Sequence, residues 1–140
     1  MRQLAWLLIV AILLAGCQQN VELDCVSVSE SVYVNDRFPT HIEKYDPNSP
    51  RIVNFENDFK DTVSVWINDK VVATKYLETK STGLADKVII KAQPNDEIVF
   101  KTTHSCARFK LCGGYNYLYI RRSVNKGWEV AYSNFSKGYF

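Results

Sequence analysis

The chain has 140 residues, 17 Lys and Arg against 15 Asp and Glu, and 46% apolar residues. That is one domain's length of chain, with too much apolar content for a disordered protein. A formal net charge of +2 excludes nucleic-acid binding driven by overall charge.

In chain order, the first feature is a positive start at Arg2 followed by an unbroken apolar run from Leu4 to Ala15. Twelve helical residues rise only about 18 Å, short of the ~30 Å hydrocarbon core of a bilayer. Such a run reads as the apolar segment of a secretory signal, not as a permanent membrane span. It ends in Leu14-Ala15-Gly16-Cys17: an aliphatic residue, two small ones and a cysteine. This resembles the lipobox of bacterial lipoproteins.

The resemblance implies a signal peptide over residues 1–16, removed in front of Cys17. Cys17 would then carry a thioether-linked diacylglycerol and, in many bacteria, a third acyl chain (palmitate or similar) on its amine. Two or more chains suffice for stable anchoring. Gln18 replaces the Asp that retains some lipoproteins at an inner membrane, so the resemblance favours the outer membrane. Residues 17–20 would be a short tether and residues 21–140 a single β-rich domain.

No long apolar repeat at helical spacing follows; β-branched and aromatic runs separated by turn residues do. Val26, Val28, Val32 and Val34 alternate as in a strand. Asp36 to Pro50, with Pro39, Pro47 and Pro50, reads as a long excursion. Arg51–Phe55 and Thr62–Ile67 are strand-like. Asn68-Asp69 tolerates positive φ and sits between β-branched runs, predicting a hairpin with Val63, Val65 and Ile67 on one face. Val88–Lys91 with Glu97–Thr102, and Tyr115–Arg122 with Trp128–Tyr132, read as two further hairpins. The sum is an all-β chain: a small antiparallel sandwich or barrel of seven to eight strands. Strand runs of four to seven residues, interrupted by Lys and Asp, argue against a membrane-spanning barrel.

With Cys17 lipidated, Cys25, Cys106 and Cys112 remain as disulfide candidates in an oxidising compartment. A Cys106–Cys112 clip would contribute about 2–3 kcal/mol in the chain-entropy model; Cys25 with either would contribute about 4–5 kcal/mol. His104, Cys106 and Cys112 also make a small cluster, but without the paired C-x₂-C unit of common zinc sites, so no metal and no cofactor is expected. His41 and His104 are the only histidines, and no nucleophile-elbow, phosphate-loop or H-E-x-x-H motif accompanies them.

Charge is unevenly laid out. Residues 18–100 hold 9 basic and 14 acidic side chains, whereas 101–140 hold 7 basic ones and only Glu129. The same C-terminal stretch carries nine of the 18 aromatics. Tyr115, Tyr117 and Tyr119 alternate along it, either as a core face or as an outward platform beside Arg121, Arg122, Lys126 and Trp128. An outward platform would suit a protein interface or sugar stacking. These features point to a non-catalytic binding or envelope-assembly module, with a protein partner first and a glycan or anionic envelope polymer second, and no nucleic acid. An envelope hydrolase, or an inhibitor of a cell-wall hydrolase, is the alternative.

Overall fold

The computed structural model describes residues 24–34, 42–123 and 127–139. The expected signal peptide, Cys17, His41 and Lys126 lie outside the described residues. The described chain is all β, as expected, but with ten strands instead of the expected seven to eight, in two five-stranded sheets that are not antiparallel throughout.

The first sheet contains β1 (Val26–Ser27), β8 (Cys106–Lys110), β7 (Glu97–Lys101), β4 (Lys60–Ile67) and β5 (Lys70–Glu78), in that order across the sheet. The second contains β2 (Ser29–Val32), β10 (Gly127–Ser133), β9 (Tyr117–Ser123), β3 (Arg51–Phe55) and β6 (Asp86–Ile90). Three pairings are parallel, β1 with β8, β2 with β10 and β3 with β9, so both sheets are mixed. They pack face to face around a core that includes Val53, Phe55, Val63, Val65, Ile98, Phe100, Leu118, Ile120, Trp128 and Val130. Phe55, Phe59, Phe100, Phe109 and Trp128 form a connected ring cluster with centroids 5.3–6.0 Å apart.

The β4–β5 hairpin forms as predicted. Asn68 and Asp69 take φ of 47° and 65°, the positive values a primed turn needs. Val63, Val65 and Ile67 face the core, and a bulge between Val65 and Trp66 shifts the register with β5. The β9–β10 hairpin also forms. The expected hairpin between 88–91 and 97–102 does not. β6 pairs with β3 in one sheet, and β7 pairs with β4 and β8 in the other. Val88 and Ile90 therefore enter the core from one sheet, and Ile98 and Phe100 from the other. The turn at 93–96 is real: the Asp96 carboxylate accepts from the Gln93 N–H at 2.7 Å, and Asn95 has φ 70°. It carries the chain across the sandwich instead of back along a neighbour.

Residues 26–32 change sheets. Val26 lies opposite Ala107 in the first sheet, and Ser29 lies opposite Glu129 in the second. The Cys25–Cys106 disulfide fastens the start of this strand to β8, spanning 81 residues of sequence. Cys112 keeps an exposed thiol.

Candidate functional site

Of the two arrangements open to the tyrosine stripe, buried or an exposed platform, Tyr117 and Tyr119 take the buried one, but on the outer side of the sheet and under a cover. Leu118 and Ile120 point into the core, while Tyr117 and Tyr119 occupy the outer face of the second sheet and are themselves buried. Flanking chain packs over them. The Tyr117 hydroxyl donates to both Glu43 carboxylate oxygens at 2.8 Å. The Tyr119 hydroxyl donates to the Phe135 carbonyl at 2.6 Å and accepts from the Lys137 N–H at 2.9 Å. The Lys137 ammonium lies over the rings of Tyr33 and Tyr119, 4.5 and 4.3 Å from their centroids. It ends on Glu56 at 2.8 Å, where Arg121 Nε at 3.1 Å and the Tyr139 hydroxyl at 3.1 Å also donate. Burial raises the pKa of Tyr117, Tyr119 and Tyr139 above the ordinary phenol value and lowers that of Lys137, against the opposing pull of Glu56. Tyr115 packs on Tyr132, 5.5 Å between centroids.

The basic C-terminal stretch is likewise absorbed by acids from earlier in the chain. Arg108 pairs with Glu97, Arg121 and Lys137 with Glu56, and Arg122 with Asp61. The asymmetry along the sequence is thus largely folded into ion pairs.

What the structure does bring together is a cleft of about 490 Å³, lined by Asp24, Val26, Asp58, Asp61, the bridged Cys106, His104, Ser105, Arg122, Gly127 and Trp128. Its origin is the strand switch. β1 has joined β8, whereas β10 acquires its β2 neighbour only from Glu129 onward, so no ladder joins Val26 to Trp128. The two sheets part there.

Trp128 supports the cleft from below: it is buried, and its Nε1 donates to Ser105 Oγ at 3.2 Å. Arg122 lies over the rings of Phe59 and Trp128 at 4.9 and 5.5 Å. It also donates to both Asp61 oxygens at 3.0 and 3.1 Å, and twice to the Asp58 carbonyl. This guanidinium is a fixed brace, not a donor waiting for a ligand. The Thr102 hydroxyl accepts the N–H groups of His104 and Ser105 at 3.3 and 3.0 Å, holding the turn that presents both residues.

Among the described residues, no hydrogen bond or ion pair engages the carboxylates of Asp24 and Asp58 or the ring of His104, and all three residues are exposed. These are the polar groups free to meet an occupant. Ser105 Oγ is already held by Trp128 and Thr102, so it is not poised toward the neighbouring imidazole. The Cys25–Cys106 bridge also removes two of the thiolates a zinc site would have needed.

Of the candidate residues, the cleft thus gathers Cys106, Arg122 and Trp128, with His104 beside them, and leaves the tyrosines and Arg121 on another face. Sequence reading missed Asp24, Asp58 and Asp61. Asp58, at φ 63°, sits in the polar link between β3 and β4, a position tolerant of Asp that carries no ligand motif. Comparison with protein-family models, curated proteins and solved structures returns no match for this chain.

Proposed function

We propose that this protein is a lipid-anchored lipoprotein of the bacterial envelope, held at the outer membrane through Cys17, whose β-domain binds a protein partner without catalysing a reaction. The anchor rests on the resemblance of Leu14–Cys17 to a lipobox. The binding role rests on one observation: a cleft with a fixed Arg122–Asp61 brace and three open polar groups on Asp24, Asp58 and His104. Two open carboxylates and an imidazole favour an occupant that brings donors, such as Lys, Arg or hydroxyl side chains on a partner's segment. Asp24 is seven residues from Cys17, a reach of at most about 25 Å, so the cleft would work close to the membrane.

The test uses photo-crosslinking in cells with the crosslinker at position 104, in the cleft, or at position 89, on an exposed strand of the other sheet. A discrete adduct from 104 alone, lost on Asp58→Ala, is the expected result. Adducts of equal strength from both positions, or from neither, overturn the binding role. For the anchor, Cys17→Ala is expected to leave unprocessed precursor or soluble protein. Unchanged membrane fractionation and acyl labelling overturn it.

A further inference from the structure

The two outer faces of the sandwich differ. That of the second sheet is covered by Tyr33, Phe135, Lys137 and Tyr139 around Tyr119 and Glu56. That of the first sheet is open along β4 and β5, where Thr62, Val71, Thr74 and Tyr76 are exposed, whereas Val99 on β7 is buried.

Alternation assigns the residues of the open face. With Val63, Val65, Ile98, Phe100, Ala107 and Phe109 inward, the outward set is Lys60, Thr62, Ser64 and Trp66 on β4, Glu97, Val99 and Lys101 on β7, and Cys106, Arg108 and Lys110 on β8. The bulge keeps Val71 opposite Trp66, with Thr74 and Tyr76 opposite Ser64 and Thr62. One cross-strand row therefore reads Val71, Trp66, Val99, Arg108. Lys101 reaches back over Trp66, its ammonium 4.6 Å from the ring, and the indole N–H donates to Ser64 at 3.0 Å. Four basic groups (Lys60, Lys101, Arg108 and Lys110) stand against Glu78 and Glu97, and Glu97 is spent on Arg108. Val71 and Tyr76 add exposed apolar and aromatic surface, 47% and 57% accessible.

We infer that this face lies on the anionic phospholipid headgroups of the membrane that anchors the protein, an inference that rests on the lipid-anchor reading. Three observations converge. The charge excess is complementary to an anionic surface. Trp and Tyr with a polar tip and apolar body are the side chains that suit the headgroup level. The chain also arrives from Cys17 at the edge of this same face. Cys25 is bonded to Cys106, one of the outward positions, and eight residues reach at most about 28 Å. Asp24 and Asp58 line the cleft at the parted seam, which borders this face at Cys106.

The lipidated full-length product offers its own reporter. After signal removal its tryptophans are Trp66 and Trp128, and Trp128 is 2% exposed. The protein is reconstituted in vesicles of phosphatidylglycerol with phosphatidylcholine, or of phosphatidylcholine alone, each carrying a nitroxide-headgroup lipid. Trp66 is expected to be quenched in the anionic vesicles only, with the quenching lost at high salt. Lys60→Glu with Lys110→Glu, both exposed rim positions, is expected to cut the quenched fraction by about fivefold or more. Flotation with vesicles but equal or no quenching in the two compositions overturns this inference while leaving the anchor intact. Absence of acylation and of flotation overturns the anchor, and the inference with it.

Discussion

Glu56 shows how much one residue can organise. Its side chain is 6% exposed and receives Arg121, Lys137 and Tyr139 together. Removing it would leave the largely buried Lys137 ammonium without a counter-charge. Glu56→Ala is therefore expected to cost about 3–5 kcal/mol in urea unfolding. Arg121→Ala, at a side chain 43% exposed, should cost no more than about 1 kcal/mol. Equal losses would show that the site is not organised around the buried Lys137. The Asn68-Asp69 turn makes the opposite case, because its logic is local. Asp69→Gly relieves a positive-φ position and is expected to stay within about 0.5 kcal/mol of the parent. Asn68→Gly also forfeits the bonds from its amide to Asp96 and from the Glu97 N–H to its carbonyl, costing about 1 kcal/mol more. This contrast explains what was legible. The turn is written in two adjacent residues, whereas Glu56 meets Arg121 and Lys137 across 65 and 81 residues of chain. No local pattern announces such a meeting.

At the scale of elements, alternation identified most strands but not all their neighbours. Val88 and Ile90 have the period of a half-buried strand, and so do Ile98 and Phe100. Nothing in either run says that Gln93–Asp96 carries the chain to the other sheet. β8 was hidden because Cys106–Lys110 reads as a cysteine-bearing loop, although Ala107 and Phe109 supply its inward face. The tyrosine stripe stayed open between core face and platform for a related reason: the chain after Ser133 packs back over it, and only tertiary structure can reveal a cover. The switch strand, residues 26–32, is the element with least side-chain burial. All six residues of β1 and β2 are exposed, so it is held mainly by its ladders and the disulfide, helped by Val28 packed on the core and Glu30 accepting from the Tyr132 hydroxyl. Cys106→Ser is expected to lower stability by about 4–5 kcal/mol in the chain-entropy model. In reduced protein, amide exchange should quicken first in residues 24–34, ahead of β4 and β5. Uniform acceleration across the chain would show that the strand is not a separable latch. In the native oxidised protein, Cys112 should be the thiol in the β-domain that reacts with a maleimide.

The whole molecule couples these covers to pH. Tyr117, Tyr119, Tyr132 and Tyr139 are each held above the phenol's ordinary value of 10.0, in every case first by burial. Acceptor carboxylates add to the effect through Glu43 on Tyr117, Glu30 on Tyr132 and Glu56 on Tyr139. Above pH 10 the unfolded chain releases these four protons while the folded chain keeps them. The unfolded state then binds fewer protons, and stability falls as pH rises. Lys137 works the other way. Burial lowers its pKa from 10.5, so the folded state gives up that proton first, and this term alone would favour folding as pH rises. Four hydroxyls against one ammonium make the net slope negative. Stability measured in urea should thus be flat through neutral pH and decline once pH passes about 10. At the acid end, the Lys75 hydrogen bond lowers the pKa of Asp86, so a smaller loss should accompany its protonation as pH falls. A chain ending at Ser133 separates the contributions. It lacks Tyr139 and Lys137 and uncovers Tyr119, but it retains Tyr132 with its bond to Glu30. Its alkaline slope should be shallower than that of the full chain but not zero. An unchanged slope would mean that the covered outer face of the second sheet contributes nothing to the pH dependence, and that its tyrosines ionise as freely folded as unfolded.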